Sequence, residues 1–315
     1  MLSPSQWESG EAMRLLIAGW QGQVARGLVE AAPACPDVMA CAVGRAALDI
    51  CSARSIERAL AQIEPTVVIN SAAYTAVDKA ESEADDAFAM NRDGAGLLAE
   101  AAARRGVPII HISTDYVYDG AKPEPYVEDD PTAPQTVFGR SKLEGEAAVI
   151  AANPRHVILR TSWVFSPTGR NFVKTMLAQA DEQERVRVVA DQRGNPTYAP
   201  HLVDAILELA RQLSARKSAD DRDDDPASGP WGIYHAAGTG ATTWAGLAAE
   251  VFRASAALGG PAAAVEPIAS ADYPTRARRL PNAELDCSKL ERTFGLRLPA
   301  WQDGVAECVR RLLQG

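Results

Sequence analysis

Met13-Arg14-Leu15-Leu16-Ile17-Ala18 is a short apolar run that stops at a glycine, and the residues after it leave the backbone few choices. A run that is apolar throughout, rather than alternating, reads as a strand buried on both faces, as in a parallel sheet. Next comes Gly19-Trp20-Gln21-Gly22-Gln23-Val24-Ala25, which opens a helix expected to reach about Ala31. The spacing is G-x-x-G-x-x-A. The first glycine permits a tight turn, the second lets the backbone approach a pyrophosphate, and the small third residue lets helix and strand pack closely. The helix start adds free N–H donors and a positive dipole end, with Gln21, Gln23 and Val24 lining the turn where phosphates would sit.

The same strand-then-helix rhythm repeats. Strands are expected at 37–43, 66–70, 107–112 and 156–159, with helices at 55–63, 83–105 and 137–153. So regular an alternation implies an α/β fold built on a doubly wound parallel sheet. Past residue 165 the rhythm loosens into helices at 171–181, 200–213, 244–258 and 301–313 and strands at 186–189 and 233–236. The expectation is a dinucleotide-binding domain over 13–165. A smaller substrate lobe takes up most of 166–315, with elements returning to the sheet. The last helix puts Trp301, Val305, Cys308 and Leu312 on one stripe. Residues 1–12 read as a loose leader. Residues 214–230 are charged and nearly free of large apolar side chains, and read as a mobile acidic loop.

Composition narrows the partners. A net charge of −9 disfavours nucleic acid and anionic membranes, and 47% apolar residues supply a full core. No apolar run approaches the roughly 18–20 residues of a membrane span, and the N-terminal stretch lacks the pattern of a signal peptide. The five cysteines are an odd count without C-x-x-C pairs, which points to reduced thiols and a cytoplasmic protein. His111, His156 and His235 lie in apolar runs and read as core residues; no metal site is expected.

Candidate site residues fall at strand ends, where open α/β sheets hold their ligands. Arg45 follows the second strand, where an arginine can take a ribose 2′-phosphate; the alternative is a solvated surface side chain. Asp49 and Ile50 come next, Asp49 placed to cap the following helix or to approach an adenine. The third strand ends in Ser71-Ala72-Ala73-Tyr74-Thr75, small enough to permit close approach of a cofactor. The fourth delivers Ser113-Thr114-Asp115, whose hydroxyl can donate to a carbonyl oxygen. Finally, Phe138 and Lys142 are four apart at the start of a helix and project from one face. A lysine there can hold a ribose and keep a neighbouring acid's pKa low.

Several longer stretches carry a resemblance. VVINSAAYTAVDKAES (67–82), HISTDYVYDG (111–120), RTSWVF (160–165), NFVKTM (171–176), ADQRGNPT (190–197) and GIYHAAGTGATTW (232–244) resemble the dTDP-4-dehydrorhamnose reductase family, within the extended short-chain dehydrogenase/reductase superfamily. The resemblance implies reduction of the C4 ketone of a dTDP-4-keto-6-deoxy sugar by NADPH, with NADH possible. It implies that Thr114 polarises the ketone and that Lys142 positions the cofactor ribose. It puts Thr75, Val77, Asp115 and Trp163 around the sugar, and Asn171 and Lys174 at the nucleotide diphosphate. The family's proton-donating tyrosine position holds Phe138, which has no proton to give. Three readings stay open: an inactivated reductase, a slow reductase in which water or Thr114 relays the proton, or a binding homologue like the regulatory subunit of methionine adenosyltransferase. Some family members dimerise through a metal held by a glutamate just after the G-x-P-T run. Here Tyr198-Ala199-Pro200-His201 follow Thr197, which implies a monomer or weak homodimer without that metal. Tyr116 stands where a 4,6-dehydratase carries glutamate, which argues against dehydration.

Overall fold

The first strand, β1 (Met13–Ala18), is flanked by β2 (Val38–Val43) and β3 (Val67–Asn70), and all three run parallel. The computed structural model describes residues 12–219 and 229–314. Residues 1–11 of the expected leader and 220–228 of the expected acidic loop lie outside them. Beyond β3 the sheet continues through β4 (Ile109–Thr114) and β5 (His156–Thr161). Strands β6 (Val164–Phe165), β7 (Arg185–Val189), β8 (Arg193–Gly194) and β9 (Thr197–Tyr198) belong to small separate ladders. The chain then returns as β10 (Gly232–His235), which closes a six-stranded sheet of order β10-β5-β4-β3-β1-β2. The order reverses between β1 and β3, so a crevice opens above their C-terminal ends.

Helices cover both faces. On one side α1 (Gln23–Ala31) packs with α8 (Ala199–Ala219); on the other lie α2 (Ala53–Ile63), α5 (Ala95–Ala103) and α6 (Val137–Ala152). The short α3 (Val77–Ala80) and α4 (Ala84–Phe88) precede α5. The lobe gathers α7 (Phe172–Glu182), α9 (Trp244–Ala256) and α11 (Trp301–Gln314) around their own core with β7, paired to β12 (Ala264–Ile268). β11 (Thr242–Thr243) and β13 (Asn282–Ala283) flank β8, and α10 (Ser288–Phe294) backs the main sheet. Trp301, Val305 and Cys308 of the predicted stripe are buried there, with Leu312 packed beside them.

Four expectations need correction. The 83–105 helix is interrupted: Ala89–Gly94 forms a wider π turn between α4 and α5. Gly145 of α6 faces that turn, where an added Cβ would run into the Asn91 carbonyl. The helix and the π turn therefore touch backbone to backbone, a distance only glycine allows. Second, α8 does not stop at 213 but runs to Ala219, into the stretch read as loop. Third, Asp49 caps no helix: Ser52 accepts the Ser55 N–H at the start of α2, while Asp49 accepts from the Cys51 N–H. Fourth, β4 starts and ends two residues late, so Ser113 and Thr114 are its last two residues. His111, His156 and His235 are buried as expected.

Candidate active site

Three local devices bring the candidate residues to the crevice. Gly19 takes φ +99°, a left-handed turn closed to most side chains, and swings the chain from β1 towards α1. Thr136 caps α6 by accepting the Gly139 N–H, and Val137 N–H donates to the Glu81 carboxylate. At Gly139 an added Cβ would collide with the Tyr116 carbonyl, so α6 sits directly against the end of β4. Phe138 and Lys142 are thereby fixed beside Thr114 and Asp115.

Together they enclose a cavity of about 560 Å³. Its wall takes in Gln21, Gly22, Gln23, Val24, Ala73, Thr75, Val77, Thr114, Asp115, Tyr116, Phe138, Lys142 and Trp163. Gly19, Arg45, Asp49, Ile50, Ala72 and Tyr74 are not on it. The Tyr74 phenol turns away to donate to Glu83. Arg45 lies out in solvent, 3.7 Å from the Asp49 carboxylate. Gln23 ties the glycine turn to the lobe: its amide donates to the Val164 carbonyl, and its oxygen accepts from Ser166 and Asn171. Asn171 also caps α7 through the Lys174 N–H, so its side chain is held as a strut. Lys174 donates to the Pro167 carbonyl and borders a shallow recess with Arg170.

The buried polar groups are perturbed in opposite directions. Burial lowers the Lys142 ammonium to about 8, against the pull of Glu146. Its Nζ donates to the Ile112 carbonyl at 2.6 Å and lies 3.3 Å from His111 Nε2. Asn70 Oδ1 accepts the Ala72 N–H, which leaves its Nδ2 facing His111 Nδ1 at 3.0 Å. A neutral His111 therefore carries its proton on Nε2 and offers Lys142 no acceptor there. Burial raises Asp115 to about 6, although Thr114 and Ser162 both donate to it. Beneath the end of β4 lies a buried ion pair, Arg160 with Glu146, which also accepts from Ser113. Arg160 goes on to donate to the Tyr118 hydroxyl, which meets His235. Such a satisfied network holds its members in one arrangement.

Phe138 is nearly buried and packs edge-to-face on Tyr116, ring centroids 5.6 Å apart. The Tyr116 phenol is pushed above its usual range by burial. On the lobe side Trp163, at φ +46°, stacks on Trp244 at 3.6 Å. Tyr116 and Trp244 are shared with a second cavity of about 280 Å³, lined also by Phe172, Arg187, Gln192, Tyr273 and Arg279. On its wall the Trp244 indole N–H donates to the Gln192 side-chain oxygen. Sequence reasoning passed over these five residues and Trp244 as site residues. Phe172, Gln192 and Trp244 sit inside the quoted stretches, but a lone arginine at 187 or 279 carries no local signal.

Comparison with known proteins is consistent along the whole chain. The model of the RmlD substrate binding domain matches residues 13–314. A dTDP-4-dehydrorhamnose reductase of Sinorhizobium fredii is 49% identical over 301 residues, covering 96% of this chain and 98% of the relative. One from Escherichia coli is 38% identical over 304 residues, covering 95% and 98%. A solved dTDP-4-dehydrorhamnose reductase from Bacillus anthracis, in complex with NADP, superposes with a TM-score of 0.85 at 31% identity, covering 95% of this chain and 99% of that one.

Proposed function

The chain belongs to the dTDP-4-dehydrorhamnose reductase family, and from that premise we propose that it reduces the C4 ketone of dTDP-4-dehydro-L-rhamnose to dTDP-L-rhamnose, at a rate limited by Phe138. The observation that carries this reading is the shared wall of the larger cavity. Thr114 on the strand edge and Lys142 on α6 face one space that begins at the glycine turn and ends at the lobe.

The residues present fit a dinucleotide. Gly19 to Ala25 form a turn with a helix start behind it, Ala73 leaves room, and Lys142 is a buried amine whose strongest partner is one backbone carbonyl. When bound, NADPH supplies the hydride. The chain's own residues do the rest: Lys142 holds the ribose, Thr114 donates to the ketone oxygen, and Thr75, Val77 and Trp163 flank the sugar. The second cavity suits the nucleotide end of the substrate. Phe172, Trp244 and Tyr273 offer apolar faces to a base, and Arg187 and Arg279 offer charge to a diphosphate. Asn171 and Lys174 then serve mainly as the strut beside that path. NADPH over NADH rests on Arg45, which is exposed and whose loose 3.7 Å pair with Asp49 would give way to a 2′-phosphate. The assembly is a monomer or weak homodimer, because no carboxylate follows Thr197 to share a metal.

Oxidation of NADPH on addition of dTDP-4-dehydro-L-rhamnose, with dTDP-L-rhamnose as product, tests the reading. Failure of both the native chain and Phe138→Tyr to turn over, with cofactor binding intact, would favour a binding homologue instead. Phe138 is the observation behind that second reading.

A further inference from the structure

Phe138 removes the expected proton donor, but the same cavity holds a carboxyl linked to the ketone-polarising hydroxyl. We propose that Asp115 is the proton source for the reaction of this chain, passing its proton through the Thr114 hydroxyl to the C4 oxygen. The inference rests on the reductase reading above.

The geometry is a chain of two contacts. Thr114 Oγ1 lies 2.8 Å from Asp115 Oδ1, and Ser162 donates to Oδ2 at 2.9 Å. Thr114 and Asp115 both line the cavity and are otherwise buried, Asp115 at 3% exposure. Ser162 holds the carboxyl by one oxygen, which leaves the other turned to Thr114. In the protonated state the direction of the 2.8 Å contact reverses: the carboxyl O–H donates to Thr114 Oγ1, and the Thr114 O–H is freed to point at the substrate.

The step balances without a further reagent. The hydride comes from the reduced cofactor and forms the new C4–H bond as the carbonyl π pair withdraws to oxygen. That oxygen takes the Thr114 proton, Thr114 takes the Asp115 proton, and Asp115 is left as carboxylate. After product leaves, water entering the cavity returns the proton. Burial makes the acid form available near neutrality, since it pushes the Asp115 carboxyl up to about 6. The other titratable or charged groups on this wall are Lys142 from α6, Arg170 from the lobe and the Tyr116 phenol. Asp78 and Arg279 lie beyond Tyr116 as a pair of their own.

The test compares four chains with NADPH and dTDP-4-dehydro-L-rhamnose: native, Asp115→Asn, Phe138→Tyr and the double variant. The relay predicts that Asp115→Asn lowers kcat by about 10²-fold in the native background and only a few-fold in the Phe138→Tyr background, where the added phenol can donate. It also predicts that native kcat falls as pH rises through about 6, a limb that Phe138→Tyr removes. Ser162→Ala, which deletes a contact favouring the carboxylate, should move that limb to higher pH, and keeps the test open should Asp115→Asn fold poorly. Independently of turnover, carboxyl NMR of the cofactor-free protein should show one group titrating near 6 that Asp115→Asn abolishes. Equal losses in both backgrounds would mean Asp115 only positions substrate and would overturn the relay. Turnover by none of the four chains overturns the reductase reading itself, and the relay with it.

Discussion

The sheet half and the lobe build their parts of the cavity by different means. The sheet half uses long buried strands whose ends are fixed by hydrogen-bonded neighbours and by helices pressed against them at glycine contacts. The lobe uses three packed helices, several two-residue strands and stacked aromatic rings, with Trp163 held in a left-handed conformation. The first arrangement sets a few atoms to within fractions of an ångström, as a hydride and a proton require. The second presents a broad apolar and cationic surface, as a nucleotide requires. The difference teaches that damage to the two halves should show up in different constants.

The largest expected effect is on the sheet side. Lys142→Met removes the buried amine, and should weaken NADPH binding by about 10²-fold or more, measured by calorimetry, on the scale of truncating one partner of a buried charged contact. The comparison breaks if substrate KM, rather than cofactor affinity, takes the loss. Next comes Arg279→Ala or Arg187→Ala in the lobe, expected to raise KM for the dTDP-sugar about tenfold while leaving NADPH affinity alone. A change in cofactor affinity of similar size would show that the lobe is not a separate substrate surface. Gly145→Ala should cost about 1–3 kcal/mol of stability in chemical denaturation, because its Cβ meets the Asn91 carbonyl. Smallest is Arg45→Ala, expected to weaken NADPH a few-fold and NADH not at all. Equal loss for both cofactors would leave Arg45 a solvated side chain.

The same contrast explains what the sequence disclosed. Parallel strands buried on both faces announce themselves as apolar runs, so β1 to β5 and the glycine turn between β1 and α1 were legible. So were Thr114, Phe138 and Lys142, since each sits at a fixed offset from a strand end or a helix start. The π turn at 89–94 was not, because it answers to the Asn91 backbone meeting Gly145, residues far apart in the chain. Nor was Asn171 as a strut: its partner Gln23 lies on the far side of the chain. The second cavity was hidden for the same reason. Arg187 lies on β7, while Tyr273 and Arg279 share one stretch far along the chain, and only the fold brings the two together.

The central claim is that the site keeps its geometry for hydride transfer and has lost only a fast proton donor. Phe138 is nearly buried, with its ring already packed on Tyr116 in a space shaped for an aromatic side chain. Steady-state kinetics of the native chain against Phe138→Tyr, with NADPH and dTDP-4-dehydro-L-rhamnose at neutral pH, tests this most directly. The account predicts a rise in kcat of about 10²-fold or more with KM little changed. Equal kcat in the two chains would contradict it, since the native site would then already hold a donor as effective as tyrosine.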